Sequence, residues 1–262
     1  MLSKDQVAEA ARALFEAEQT FTPTEPTSVK FPDAEITDAY AISTEVTRLK
    51  LESGRQIKGH KVGLTSKAMR GMTGATEPDY GTMFDNWFVP EGGVVDRQRM
   101  NRPLVEVELA FVLGSPLSGP GVNVADVIRA TDFVLPAIEI VDTRQSGRGT
   151  NTLVDSISDA AACGLVVLGG MPKKLTDVDV RRIGASLSIN GEVEESGVAG
   201  AVMGNPLNAV AWLINKLYEF GVSPEAGHVI LSGSFIKAIP FEAGDSVVAQ
   251  YDTLGEVTFV AS

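Results

Sequence analysis

The chain has few of the residues that bind soft metals or form covalent crosslinks. Among its 262 residues there is one cysteine, Cys163, and there are two histidines, His60 and His228. A single cysteine excludes an intrachain disulfide and a cysteine-based zinc or iron–sulfur site, and two histidines exclude a multi-histidine metal site. Cys163 stands in the apolar run AACGLVVL, which favours a small buried core residue over a nucleophile. This cysteine usage is typical of a reducing cytoplasm.

Basic charge and long apolar runs are also scarce. The 22 Lys and Arg residues face 34 Asp and Glu residues, which gives a net charge of −12 and a pI near 4.7. An acidic surface repels phosphate backbones and anionic lipids, so we expect no nucleic acid or membrane partner. No run reaches about 18 apolar residues, the length of a membrane-spanning helix. The first 15 residues lack the apolar core of a signal peptide.

Several common catalytic signatures are absent as well. The sequence contains no GxGxxG, GxxxxGK[ST], HExxH or GxSxG pattern. Nucleotide binding and serine hydrolysis therefore lack their usual support.

Helical spacing is confined to three segments. Ser3 begins a capping-box pattern ahead of a first amphipathic helix, and Thr37 is the predicted cap of a second helix that ends near Gly54. Residues 20–33, with three prolines, predict an extended connection between them. Asn205, followed by a proline, begins a third helix with apolar residues on two sides.

From Ile57 onward, short apolar runs separated by glycine and proline predict strands. Few helices lie between these runs, which favours a mixed α+β domain over a doubly wound parallel sheet. We therefore predict an N-terminal helical segment, residues 1–55, and a β-rich catalytic domain, residues 56–262. The predicted strands cover residues 57–64, 104–113, 134–141, 163–168, 186–189, 228–231, 246–251 and 255–260.

The run LVEVELAFVL at 104–113 carries the first chemical signal. Alternation in a strand puts Glu106 and Glu108 together on one face. An isolated Glu-x-Glu is usually a solvated edge, but this face continues with Ala110 and Val112 and is expected to be buried. Two buried carboxylates about 5 Å apart repel by roughly 3 kcal/mol at an effective dielectric near 20, so they need a proton or a cation.

A third carboxylate, Glu139, lies in the similar apolar run LPAIEIVD. Three acidic oxygen donors without histidine or thiolate suit a hard ion, Mg²⁺ or Mn²⁺, with open positions for water and an oxygen-chelating substrate. The three glutamates are therefore a candidate metal site.

Other polar residues have both an ordinary and a catalytic interpretation. Lys61, flanked by glycines in GHKVG, is placed for close approach of a ligand and for stabilising an oxyanion. Lys58 and Lys67 are better interpreted as solvated charges. Asp79, in EPDYG, is predicted in a turn, with capping as the default role and proton transfer as the alternative. Residues 231–235, LSGSF, are a turn unless a ligand lies there.

Taken together, these segments resemble the 2-keto-4-pentenoate hydratase and 4-oxalocrotonate decarboxylase family, within the fumarylacetoacetate hydrolase-like superfamily. The resemblance begins in the second predicted helix and covers most of the chain. It is carried by GHKVGLTSKAM (59–69), EPDYG (77–81), VEVELAFVL (105–113), PAIEIVDTR (136–144), GNPLNAVAWLINKL (204–217) and AGHVILSGSF (226–235).

The resemblance implies a mixed β-sheet roll or barrel-like core of the fumarylacetoacetate hydrolase C-terminal type, with an N-terminal helical segment. It implies a homo-oligomer acting on a small-molecule substrate, with a complex with a sibling enzyme as a further option. The implied site comprises the ligands of Mg²⁺ or Mn²⁺ (Glu106, Glu108, Glu139), catalytic residues (Lys61, Asp79, His60) and substrate contacts (Ser234, Leu64).

Two family reactions remain open at this point. A hydratase adds water to a 2-hydroxy-2,4-dienoate and gives a 4-hydroxy-2-oxo acid in meta-cleavage of aromatic compounds, whereas the decarboxylase removes CO₂ from 4-oxalocrotonate with the same metal. Asp79 favours the hydratase, because the decarboxylases tend to be apolar at that place. The motifs most resemble hydratases of 2-oxohept-enedioate, but a shorter loop after Arg144 leaves a smaller monocarboxylate substrate open.

Two further alternatives are less favoured. A catalytically silent partner subunit disagrees with the intact Lys61, Asp79 and glutamates, and hydrolysis of a carbon–carbon bond lacks a His/Glu pair at a suitable spacing. One departure from the family is Ala160 in SDAA, where relatives commonly carry the asparagine of Asp-Asn-Ala. We assign no role to Ala160.

Overall fold

The computed structural model describes residues 1–147 and 152–262, and the loop predicted after Arg144 lies partly outside them. In these two ranges the chain forms helices and two β-sheets. The helices are α1 (Lys4–Thr20), α2 (Thr27–Lys30), α3 (Ile36–Glu52), α4 (Lys67–Thr73), α5 (Val124–Ala130), α6 (Leu153–Ser158) and α7 (Pro206–Glu219). The strands are β1 (Ile57–Gly63), β2 (Asp79–Phe84), β3 (Phe88–Val89), β4 (Val94–Val95), β5 (Leu104–Leu113), β6 (Thr131–Val141), β7 (Cys163–Leu168), β8 (Gly184–Ile189), β9 (Glu192–Val198), β10 (Val229–Leu231), β11 (Ile239–Pro240), β12 (Ser246–Tyr251) and β13 (Gly255–Ala261).

The larger sheet is mixed and has the order β2-β1-β10-β5-β6-β7-β3, with β11 paired to β5. Its β1–β10 and β3–β7 pairs are parallel and the others are antiparallel. The second sheet has the order β4-β13-β12-β8-β9. The α+β class with a mixed sheet, predicted from the dispersed strands, is confirmed.

The two faces of the larger sheet differ in size and composition. The odd-numbered residues of β5 from Val105 to Phe111 are buried in the main core, together with α7 and the inner residues of the second sheet. The opposite face holds a smaller cluster that includes Ala110, Ala137 and Cys163. Alternation in β5 is therefore as predicted, with Glu106 and Glu108 on the side of the smaller cluster.

The N-terminal helices α1 and α3 pack on one another through a small apolar cluster, and α2 and α3 contact α6. Two predictions for this region are wrong in detail. Residues 20–33 are not simply extended, because they contain the single turn of α2. The cap of α3 is Glu35 rather than Thr37, since Glu35 and Asp38 form a reciprocal capping box.

Distant side chains explain the turn of α2. The Gln145 side chain accepts from the Thr27 amide at 2.7 Å, and Asp155 accepts from both the amide and the hydroxyl of Ser28. These acceptors lie more than 100 residues away along the chain, so no local sequence pattern reports them. Among the described residues, no helix has both the length and the apolar character needed to cross a membrane.

Candidate active site

Three glutamates meet on the side of the sheet that carries the smaller cluster. Glu106 and Glu139 are direct cross-strand neighbours in the antiparallel β5–β6 pair, and Glu108 follows two residues along β5. One carboxylate oxygen from each lies within 4.8 Å of those of the other two. Strand alternation and register alone therefore bring together the three carboxylates that the sequence marked out.

The carboxylates are poorly satisfied by the protein itself. Glu108 and Glu139 are fully buried, and Glu108 Oε1 and Glu139 Oε2 accept no hydrogen bond among the described residues. Burial, reinforced by the charge of Glu139, raises the pKa of Glu106 to about 7 and raises the pKa of Glu108 well above its usual range. A buried carboxylate without a donor is costly unless a proton or a cation is present.

A lysine completes the charged centre. Lys61, on β1, places its Nζ 3.0 Å from Glu139 Oε1 and is itself buried. Burial opposes its charge, but the carboxylates of Glu139 and Asp79 raise the pKa of Lys61 above the ordinary value. Lys61 therefore stays an ammonium group at neutral pH.

Asp79 lies beside Lys61 rather than in the predicted turn. It is the first residue of β2 and pairs with Gly63 of β1, so it faces the same side as Lys61. The close approach requires a glycine, because a Cβ at Gly63 would lie 2.2 Å from Asp79 Oδ1. Burial raises the pKa of Asp79 although Lys61 opposes the shift, and Oδ1 has no donor among the described residues.

Ser156 is a site residue that sequence reasoning missed. Its Oγ donates to Asp79 Oδ2 at 3.3 Å from α6. The contact spans 77 residues of sequence, and nothing in the spacing of the two motifs signals it.

His60 is not brought to the carboxylates. As the neighbour of Lys61 in a strand it points to the opposite face, where its Nδ1 lies 3.4 Å from Thr82 Oγ1 and its ring faces that of His228. Burial, with a smaller effect of His228, lowers the pKa of His60 to about 3. The structure therefore gives no support for His60 in proton transfer at this site.

The predicted substrate contacts lie at the rim. Leu64 directly follows Gly63 and has a left-handed φ of 55°. Ser234 uses its hydroxyl within its own loop, donating to the Ile236 carbonyl at 3.0 Å. The preceding residue binds the site more directly, because the Gly233 amide donates to Glu108 Oε2 at 2.8 Å.

Cys163 is fully buried beside the glutamates, as a core residue is expected to be. Burial and then the negative charge of Glu139 raise the pKa of its thiol well above the ordinary value. The thiol therefore stays protonated at neutral pH and is no nucleophile.

The second sheet fixes the strands that carry the glutamates. The hydroxyl of Tyr251, on β12, accepts from the Glu108 amide at 3.2 Å and lies within hydrogen-bonding distance of the Glu108 and Ala137 carbonyls. The Tyr251 hydroxyl therefore joins the backbones of β5 and β6 at Glu108 and Ala137, next to the glutamate cluster.

A strained turn closes the other side. Ala160, Ala161 and Ala162 have φ values of 51°, 52° and 56°, a left-handed conformation that L-residues rarely adopt in succession. A Cβ at Gly81 would lie 1.9 Å from the Ala160 carbonyl oxygen. Only glycine allows β2, and with it Asp79, to approach this turn.

Behind the turn lies a second buried charged group, which we call the anchor cluster. Its residues come from the N-terminal helices and from loops of the β-rich part. Its members are Glu18, Lys50, Trp87, Arg144 and Asp159.

Every charge in the anchor cluster has a partner. Lys50 pairs with Glu18 and lies 4.0 Å from the centre of the Trp87 ring, and Trp87 Nε1 donates to Glu18 at 3.1 Å. Arg144 donates from Nε to Asp159 Oδ1 at 2.6 Å and from Nη2 to the Asp159 carbonyl at 3.0 Å. A cleft of about 460 Å³ beside Trp87 and Arg144 is lined by none of the three glutamates.

The three glutamates fit a hard divalent cation. They offer only oxygen, they leave buried oxygens without donors, and burial together with their mutual repulsion raises the pKa values of Glu106 and Glu108. Mg²⁺ and Mn²⁺ bind such carboxylate sets, whereas softer ions prefer imidazole or thiolate. The fold and this cluster together define a carboxylate-based metal site in a mixed α+β domain.

Comparison with known proteins agrees with that definition. Residues 58–260 match the family model "Fumarylacetoacetate (FAA) hydrolase C-terminal", and the chain belongs to this family. The predicted resemblance and the predicted type of fold are thereby confirmed.

Two curated relatives span nearly the whole chain. A 2-oxo-hept-4-ene-1,7-dioate hydratase from Escherichia coli is 43% identical over 95% of this chain and 95% of its own. A 4-oxalocrotonate decarboxylase from Pseudomonas putida is 37% identical over 98% of this chain and 97% of its own. Among solved structures, a 4-oxalocrotonate decarboxylase from Pseudomonas putida G7, complexed with magnesium and adipate, has a TM-score of 0.96 and 35% identity, covering 100% of this chain and 99% of that one.

Proposed function

We propose that the chain is a metal-dependent hydratase, a lyase that adds water to a 2-hydroxy-2,4-dienoate and gives a 4-hydroxy-2-oxo acid. The observation that carries the proposal is the buried Asp79 beside Lys61, on the same face as the cluster of three glutamates. The 43% identical hydratase and its nearly complete coverage support the same reaction.

Glu106, Glu108 and Glu139 hold the metal, and Mg²⁺ or Mn²⁺ is the proposed ion. When bound, a divalent ion chelated by the substrate carboxylate and 2-oxygen withdraws electrons along the conjugated chain. The related decarboxylase with magnesium supports a hard ion.

Lys61 and Asp79 supply the remaining chemistry. The Lys61 ammonium stabilises negative charge on the substrate 2-oxygen, because its neighbours keep it protonated. Asp79 has a raised pKa and a free buried oxygen, so it can deliver a proton to C5 of the dienol while the 2-hydroxyl proton leaves to solvent. The Asp79 carboxylate can then take a proton from the water that adds to C4, and C3 receives its proton from solvent. Ser156 holds the other oxygen of Asp79.

Decarboxylation of 4-oxalocrotonate is the second candidate. It uses the same electron withdrawal, and the 37% identical decarboxylase shows that the overall fold does not separate the two reactions. Asp79 favours the hydratase. Loss of CO₂ forms a carbanion without the help of an acid, so the decarboxylation step does not require Asp79.

Several further features rest on less direct support. A role in the meta-cleavage of aromatic compounds, a homo-oligomeric state and a complex with a sibling enzyme rest on the family resemblance, and a cytoplasmic location rests on the cysteine usage. Each stays a proposal about this chain.

The experiment that tests the proposal uses the protein loaded with Mg²⁺ or Mn²⁺. Freshly generated 2-hydroxypenta-2,4-dienoate, 2-hydroxyhepta-2,4-dienedioate and 4-oxalocrotonate are supplied separately, and ultraviolet absorbance is followed with mass identification of the products. A product heavier by one water establishes the hydratase. Loss of CO₂ without water gain establishes the decarboxylase and overturns the proposal.

Asp79→Asn provides the second arm of this experiment. A hydratase that uses Asp79 for proton transfer is expected to lose about 10²- to 10⁴-fold in kcat. Mn²⁺ binding, measured by calorimetry, is expected to persist because Asp79 is not in the glutamate cluster. Retention of hydration in this variant would remove Asp79 from the mechanism.

A further inference from the structure

Arg70 is a cation at the rim of the site without a carboxylate partner among the described residues. It lies on α4 and is half-buried. Its Nη1 donates to the carbonyls of Leu64 and Thr65 at 2.8 and 2.9 Å. A guanidinium has five N–H donors, so most of its hydrogen-bonding capacity remains after these two contacts. In a chain of net charge −12, an arginine without an acidic partner is a candidate anion-binding group.

Arg70 donates to the segment of residues 63–65, which contacts both sides of the candidate site. The first residue of this segment, Gly63, lies close to Asp79 and Lys61, because an added Cβ would be 2.2 Å from Asp79 Oδ1 and 3.5 Å from Lys61 Nζ. Its last residue, Thr65, packs on Gly233, where an added Cβ would meet the Thr65 side chain at 2.4 Å. The Gly233 amide in turn binds Glu108. Arg70 is therefore bonded to a segment that joins the Asp79 side of the site to the glutamate side.

The backbone directs α4 away from the strand at this point. Leu64 has a left-handed φ of 55°, which ends β1 and turns the chain. The following helix of seven residues has no buried side chain, and both Met69 and Met72 are exposed. Apart from the Ser66 cap, Arg70 is the residue of α4 whose side chain is bonded back to the site. A helix with so few buried contacts can adjust its position when a ligand arrives.

Lys61 is not available for a second anionic group, because it is committed to Glu139 and to the 2-oxygen end of the substrate. We propose, on the basis of the function proposed above, that Arg70 binds the carboxylate at the far end of a dicarboxylate substrate. The chain then prefers 2-oxo-enedioates over 2-oxo-enoates that end in an alkyl group. Planar, bidentate recognition of carboxylate is the usual role of an arginine with free donors.

Two stable 2-oxo acids of equal length test this preference. 2-Oxoadipate and 2-oxohexanoate share the chelating end and differ only in the terminal carboxylate. Each is titrated by calorimetry into the Mn²⁺-loaded protein. A charge-assisted contact predicts about 10- to 100-fold tighter binding of 2-oxoadipate. Arg70→Gln is expected to bring the ratio of the two affinities to about 1, and this ratio is the readout because loss of the bonds to Leu64 and Thr65 affects both acids alike. Equal binding of the two acids by the unaltered protein, or an undiminished preference in Arg70→Gln, overturns the inference.

Lys67→Gln is the matched control, because it removes the same charge from an exposed position of the same helix. It is expected to keep the full preference, and loss of the preference in this variant assigns the effect to general charge and overturns the inference. Should Arg70→Gln disturb Mn²⁺ binding, the unaltered protein is treated with phenylglyoxal instead. The inference then requires that 2-oxoadipate protects Arg70 from phenylglyoxal modification and that 2-oxohexanoate does not. The modified arginine is identified by peptide mass. If neither acid binds the metal-loaded protein, the proposed function fails, which is a result distinct from failure of the Arg70 assignment.

Discussion

Two buried charged groups lie close together in this protein, and they differ in how completely the protein satisfies them. In the anchor cluster, Glu18, Lys50, Arg144 and Asp159 form ion pairs and hydrogen bonds with one another. In the glutamate cluster, Lys61 contacts one oxygen of Glu139, while the other oxygen of Glu139 and one oxygen of Glu108 have no donor among the described residues. Burial is severe in both, so burial alone does not identify a functional site. What distinguishes the catalytic group is the bonding capacity that it leaves unused.

The pKa of Glu18 differs in direction from the pKa values of the glutamate cluster. Burial opposes the charge of Glu18, yet Lys50 and Arg144 hold its pKa below its usual range, whereas burial raises the pKa of Asp159 in spite of Arg144. In the glutamate cluster, burial and the facing carboxylates raise the pKa values of Glu106 and Glu108. A bound cation would supply there the positive charge that lysine and arginine supply in the anchor cluster.

The largest effect is expected from removing one carboxylate of the glutamate cluster. Glu106→Gln takes away a charged oxygen ligand, so Mn²⁺ affinity and activity are expected to fall together, each by at least about 100-fold. Calorimetry with Mn²⁺ and the dienoate assay measure the two losses. Glu195→Gln, at the edge strand β9, is the control and is expected to change neither. Unchanged metal content in Glu106→Gln would remove the ligand assignment.

Breaking the anchor cluster is expected to affect stability instead. Arg144→Met leaves Asp159 buried without its main partner, which costs about 3–5 kcal/mol and lowers Tm by about 10 °C. Arg181→Met breaks an exposed pair with Asp179 and is expected to cost less than about 1 kcal/mol. The measurement is the Tm of each variant, determined by thermal unfolding and compared with that of the unaltered protein. A loss of Mn²⁺ affinity in folded Arg144→Met, without loss of stability, would contradict the separation of the two clusters.

Removing the metal is expected to make stability depend on pH. In metal-free protein the folded state raises the pKa of Glu106 to about 7 and that of Glu108 further above its unfolded value. The stabilisation that these two carboxyl groups contribute is fully present below the unfolded pKa, near 4.5. It is lost as the pH rises through the folded pKa.

We expect Tm of the metal-free protein to fall by several degrees between about pH 5 and pH 8, and Tm of the Mn²⁺-loaded protein to stay nearly constant. Thermal unfolding across that range, with and without Mn²⁺, is the measurement. If Tm changes with pH in the same way for the metal-free and the Mn²⁺-loaded protein, the glutamates do not titrate as described.

The smallest effect concerns the turn between the clusters. Ala160 holds a left-handed φ of 51°, so Ala160→Gly is expected to raise stability by about 1 kcal/mol. Ala125→Gly, in the exposed part of α5, is the opposite control and is expected to lower stability by about 1 kcal/mol. A lower Tm for Ala160→Gly would show that its methyl group packs more tightly than its backbone is strained.

The sequence predicts the glutamate cluster much better than its surroundings. Alternation in β5 places Glu106 and Glu108 on one face, and apolar neighbours mark Glu139 as buried, so these residues are recognisable without coordinates. Both signals are local, and they depend only on strand geometry.

The remaining features depend on long-range contacts. Asp79 resembles a turn residue because proline and glycine flank it, yet pairing with β1 makes it the start of a buried strand. Ser156 contacts Asp79 across 77 residues, and the anchor cluster unites positions from 18 to 159. His60 is a residue that strand alternation alone places correctly, because the neighbour of Lys61 in β1 points to the opposite face, towards Thr82 and His228.

The hydroxyl of Tyr251 has a consequence for how the protein can change during evolution. Because this one group joins the backbones of β5 and β6, the second sheet is part of the catalytic apparatus although it supplies no ligand. A shortened or recombined C-terminal region that loses the register of β12 is expected to produce a folded protein whose carboxylates no longer converge.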